Sequence, residues 1–186
     1  MIEVNNISTK ESPREVLHHI YDYIDELPIH GGWGYSQDDA VVIDMNDPIV
    51  DKSKPFNGID LEYVFAKHRT YLELITARAE KDRFSGIKFE TIIQQLYHGD
   101  NGKKYDKLVL KISALRDKDY KDLKEVWENN LDNFNFDQVA HWERDEKLRI
   151  HIEQEFWFEI SSFYGQNFVI LDESDEDGGS ATVKMI

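Results

Sequence analysis

From Leu148 to Ile160 the chain alternates. Leu148, Ile150, Ile152, Phe156, Phe158 and Ile160 are apolar, and only Gln154 interrupts them. A period of two marks a strand with one dry and one wet face, because successive side chains leave a pleated backbone on opposite sides. On the strand reading, Arg149, His151, Glu153, Glu155, Trp157 and Glu159 share the second face. A helix through Leu148, Ile152, Phe156, Ile160 and Phe163 accommodates many of the same residues, so periodicity leaves both open.

The rest of the chain supplies partners for such a strand. Ser12-Pro13 followed by Glu15 is a helix start, with Val16, Leu17, Ile20, Ile24 and Leu27 at helical spacing and Pro28 as the stop. A glycine-rich loop over 28–38 follows, then a short β-branched run from Ala40 to Met45. Asp60 is placed to cap a second helix whose stripe is Leu61, Val64, Phe65, His68, Leu72, Ile75 and Ala79. Ile87–Tyr97 and Tyr105–Leu115 flank Gly99-Asp100-Asn101-Gly102 and read as a hairpin, with imperfect alternation in the first arm suggesting a bulge. Helices are expected over 117–130 and 137–146, and a last strand over Phe168–Leu171. Together these predict an α+β domain over residues 1–171: a mainly antiparallel sheet of about four or five strands, with about three or four helices packed on one face. Residues 172–186, which open with Asp172, Glu173, Asp175, Glu176 and Asp177, read as an acidic tail.

Charge is the strongest compositional signal. Lys and Arg number 22 against 37 Asp and Glu, a formal net charge of −15, which repels nucleic acid and anionic membranes and attracts basic partners. Acidity also serves plain solubility, so it points to a partner best where the acids cluster on one face. There is no cysteine, which excludes disulfides and thiolate metal sites. No secretory leader and no membrane-length apolar run is visible, which makes the cytoplasm the expected location.

Three constellations are chemically suggestive. His30-Gly31-Gly32-Trp33-Gly34-Tyr35-Ser36 has the glycines of an anion cradle, but it lacks the Gly-Lys-Ser/Thr ending of a phosphate loop and precedes a strand. It is either a connection that tucks Trp33 and Tyr35 onto the core or a recognition loop with both as anchors. Asp38, Asp39, Asp44, Asn46 and Asp47 crowd oxygen ligands at the ends of one strand, without calcium-loop spacing. The third is the polar face of residues 148–160, where Trp157 sits oddly on a face otherwise suited to water.

The expected function is a non-catalytic acidic protein that captures a basic protein partner, as an immunity protein or antitoxin neutralises a cationic toxin. Trp33, Tyr35 and Trp157 are its expected anchors and Glu153, Glu155 and Glu159 its charged rim. No cofactor and no metal is expected on this reading. One alternative is a metal-assisted hydrolase using His151, Glu153 and Glu155 or the Asp38–Asp47 cluster. Another is a structural component of a larger assembly.

Overall fold

Five strands form one sheet in the order β1-β2-β5-β4-β3 in the computed structural model, which describes residues 6–22, 26–100 and 102–166. The strands are β1 (Ile29–Gly31), β2 (Val41–Ile43), β3 (Phe84–His98), β4 (Lys104–Arg116) and β5 (Ile150–Glu159). Every pairing is antiparallel except the short parallel contact of β2 with β5. With helices α1 (Pro13–Ile20), α2 (Gly58–Tyr71), α3 (Asp117–Glu128) and α4 (Gln138–Leu148), the fold is α+β. The stretch that alternates in the sequence is therefore a strand. The expected strand over 168–171 and the tail over 172–186 lie outside the described residues.

Local chemistry sets the element ends. Ser12 accepts from the Glu15 amide, and the Glu15 carboxylate accepts from the Ser12 amide, a reciprocal cap with Pro13 in the first turn. The cap of α2 is Asn57 rather than Asp60: the Asn57 side-chain oxygen accepts from the Asp60 amide at 3.2 Å. The β3–β4 hairpin turns at Gly99–Gly102 and carries register shifts between Ser85 and Lys88 and between Thr91 and Ile93. The second of these is the bulge that the broken alternation implies.

The 28–38 segment is more ordered than its glycines suggest, since three of its residues are strand β1. Gly31 takes φ of +85°, and a Cβ there would stand 2.7 Å from the Ala40 carbonyl oxygen. Gly34 takes φ of +77°, and its carbonyl accepts from the Trp157 amide at 3.0 Å, tying the loop to β5.

The core lies between one sheet face and α2. Even-numbered residues of β4 and β5 point into it, among them Leu108, Ile112, Phe156 and Phe158, all fully buried. Phe65 of α2 meets Phe158 edge-on at 5.9 Å between ring centroids. The helices do not all pack on that face. Leu115 alternates to the other side of β4, and there Tyr120 of α3 closes on Gly86 of β3 while Arg149, following α4, donates to the Gly86 carbonyl at 2.8 Å. Thus α3 and α4 cap one end of the second face, and among the described residues the remainder of that face is open. No helix among the described residues is long and apolar enough to cross a membrane.

Candidate functional site

Alternation places His151, Glu153, Glu155, Trp157 and Glu159 on the open face of β5, opposite Ser113, Lys111, Val109, Lys107 and Tyr105 of β4. Its ends are structural. Glu159 is 7% exposed, and its carboxylate accepts from the Ser161 amide at 3.0 Å. Arg149 grips Asp145 through two nitrogens, at 2.6 and 3.1 Å. In the middle, the Trp157 ring lies 5.0 Å from that of Tyr97, with the Lys107 ammonium 5.3 Å from the indole centroid. Lys107 also binds Glu155 at 2.6 Å, and Lys111 faces Glu90 at 3.5 Å. Lysines therefore interleave with the acids, so this face is mixed in sign rather than acidic.

His151 points away from Glu155. Its Nε2 is 3.5 Å from the Glu146 carboxylate, in a cleft of about 300 Å³ shared with Ser113, Lys111 and Arg149. His151 and Glu155 thus have partners in different directions. Among the described residues no group of three or more histidines and carboxylates is spaced to hold an ion. The Asp38–Asp47 cluster is spent on backbone. Asp39 accepts from the Trp33 and Tyr35 amides at 3.2 Å each, Asp44 from Asn46 at 2.9 Å, and Asp47 from Ile49 at 3.1 Å. Asp47 also takes both Arg14 terminal nitrogens, at 2.9 and 3.2 Å, and the bond from Arg14 holds its pKa below the usual carboxylate range.

Trp33 and Tyr35 are not displayed. Trp33 is 7% exposed and packs on Phe65, and Tyr35 lies half-buried with its ring 4.4 Å from the Arg69 guanidinium. The Tyr35 hydroxyl donates to Glu73 at 2.6 Å and accepts from the Ile7 amide. Burial, then the Glu73 charge, raises its pKa. As the sequence left open, the loop tucks both rings inward, and neither offers docking area.

The sequence reading passed over one exposed apolar surface. At the α3–α4 corner, Phe134 is fully exposed, Val139 67%, Leu131 65% and Trp142 53%. They stand on an aromatic base in which Trp127 meets Phe136, His141 and Trp142 with centroids 5.2–6.0 Å apart. The corner is built from short-range bonds. Asp137 caps α4 by accepting from the Ala140 amide at 2.9 Å, and the Asn133 carboxamide donates to that of Asn130 at 2.9 Å. Residues 125–143 contain Glu125, Glu128, Asp132, Asp137 and Glu143 and no Lys or Arg. That run was the available signal. Expecting helices over 117–130 and 137–146 concealed it, because each helix taken alone has an apolar side to bury. A surface depression of about 630 Å³ lies elsewhere, where Glu80, Asp117 and Asp122 interleave with Lys81, Lys118 and Lys121.

No family model, curated protein or solved structure matches the chain.

Proposed function

We propose that this protein is a non-catalytic binding protein that captures a basic protein partner, in the manner of an immunity protein or antitoxin acting on a cationic toxin in the cytoplasm. The observation that carries the reading is the α3–α4 corner. Four large apolar side chains stand in solvent within a stretch of five carboxylates, bounded by Lys124, which pairs with Glu128 at 3.6 Å, and by Arg144. A desolvated apolar centre with a charged rim is the usual energetic plan of a protein interface. The net charge of −15 favours encounter with a cation from a distance, and the corner favours where it docks. The Trp157–Tyr97 patch, with Glu153 and Glu155, is the second surface that such a partner would use. Its interleaved lysines suit it to fixing orientation rather than to attraction. Trp33, Tyr35 and Glu159 contribute by holding the fold.

The test is capture from native lysate at low and moderate salt, followed by titration of the purified partner. A basic protein bound in stoichiometric amount is expected, more weakly as salt rises. Trp142→Ala is expected to raise Kd by at least about tenfold. If Trp157→Ala weakens binding and Trp142→Ala does not, the sheet face is the site. A titration that neither variant alters rejects both surfaces.

A further inference from the structure

Among the described residues, strand β3 is the free edge of the sheet on the side away from β1. An edge strand presents unpaired N–H and C=O groups, and proteins usually blunt such an edge with charge, proline or a covering element. From Thr91 to Tyr97 the sequence is Thr-Ile-Ile-Gln-Gln-Leu-Tyr, without charge or proline. Ile92, Ile93 and Leu96 are 42%, 47% and 42% exposed. The bulge at Ile92 bends the edge, but beyond it Ile93–His98 run in unbroken register with Lys104–Val109. That leaves a straight template of six residues.

We infer that this edge pairs with the same edge of a second copy, making an antiparallel two-fold dimer whose sheet runs across both molecules. Charge selects the occupant. The chain carries −15, so two copies repel wherever their carboxylates meet, and an uncharged run of seven residues is where they approach without opposing charges. A basic partner finds no carboxylate in that run to answer it. The segment is also compatible with itself. With the two-fold axis through Gln95, Ile93 stands opposite Tyr97 of the second copy, and Gln94 opposite Leu96 of the second copy. Ile93 and Tyr97 lie on the open face, so each end of the seam gains a β-branched and aromatic cross-strand pair.

Sedimentation of the full chain over a range of concentrations, at low and high salt, tests this. A monomer–dimer equilibrium is expected that tightens as salt screens the like charges, opposite to the salt dependence of capturing a basic partner. That difference in sign separates failure of this inference from failure of the proposed function. Gln95→Lys places a charge against itself on the two-fold axis, and with an unchanged circular dichroism spectrum it should raise the dimer Kd by at least about tenfold. Ile93→Lys should act likewise. In the wild type, slowed amide exchange across 93–97 should appear with dimerisation. A chain that stays monomeric at the highest concentration overturns the inference. So does a dimer indifferent to both substitutions. A monomer whose edge amides are already protected also overturns it, by placing another segment of the same chain there.

Discussion

Two polar clusters are buried along α2, one on each side of the same sheet contact, and they solve the same problem differently. Near the end of α2, Arg69 is 1% exposed and lies between the rings of Phe156, at 3.8 Å, and Tyr35. It donates to the Trp33 carbonyl at 2.9 Å and the Glu155 carbonyl at 2.8 Å, and its Nε stands 3.4 Å from Glu73. Glu73 in turn accepts from Tyr35 and Gln154, and Gln154 accepts from Thr70 at 3.1 Å. The contact of Arg69 Nε with Glu73 is an ion pair without hydrogen-bond alignment, so the guanidinium is anchored chiefly by the two carbonyls.

One helical turn before Phe65 there is no cation. Glu62, 1% exposed, and Asp106, 8% exposed, share one carboxamide: Gln94 Nε2 donates to Glu62 at 3.2 Å and to Asp106 at 2.7 Å. The second oxygen of each carboxyl group is buried and finds no partner among the described residues. Burial, then the charge of Asp106, pushes the Glu62 pKa up to about 9. A buried acid can be neutralised by a cation or by a proton, and α2 uses one of each. The second makes stability depend on pH.

Removing the cation should have the largest effect. Arg69→Ala leaves Glu73 buried without its cation, and is expected to cost about 3–5 kcal/mol in urea unfolding. A loss under about 1 kcal/mol would mean that charge balance, the two carbonyl bonds and the aromatic sandwich together offset little more than the cost of burying the guanidinium. Next comes Glu62→Gln, which keeps the shape and removes the titration. Between about pH 4.5 and 9 the unfolded Glu62 is ionised while the folded one keeps its proton. The folded state therefore binds more protons, and the contribution of this group falls as pH rises, by up to about 1.4 kcal/mol per pH unit, levelling above 9. Glu62→Gln should flatten that slope and raise Tm at pH 8 by about 3 °C or more. An unchanged slope would break the comparison, by showing that Glu62 is already ionised at neutral pH. Tyr35→Phe should cost least, about 1–2 kcal/mol, since Glu73 and the Ile7 amide each lose one hydrogen bond. If it costs as much as Arg69→Ala, the first cluster depends on its hydroxyl as much as on its cation.

The same helix shows what could be read beforehand. Its existence was legible, because Leu61, Val64, Phe65, His68 and Leu72 recur at helical spacing. Its buried line was not. Of that stripe Phe65, His68 and Leu72 are buried, but the buried line also takes in Glu62, Ala66, Arg69, Thr70 and Glu73, about one residue further round the helix. A periodicity count places Glu and Arg outside by their type, whereas here Trp33, Gln94 and Gln154, distant in sequence, supply their partners. The candidate site divides in the same way. Which β5 residues share the wet face followed from alternation, but not that Lys107 pairs with Glu155, because that depends on the register of β5 against β4, strands far apart in the chain. The corner at Phe134 and Trp142 was missed because only the packing of α3 on α4 decides which apolar side chains stay uncovered.

The sequence by itself determined the α+β class, the hairpin, the alternation over 148–160 and the net charge. Each follows from period, turn chemistry or formal charge, which are local or additive. The tertiary structure decided the short β1 pairing, the placement of helices on both faces, the means of neutralising each buried acid and the exposed corner. Those depend on which distant residues meet, and contacts across the chain are not written in the spacing of neighbours.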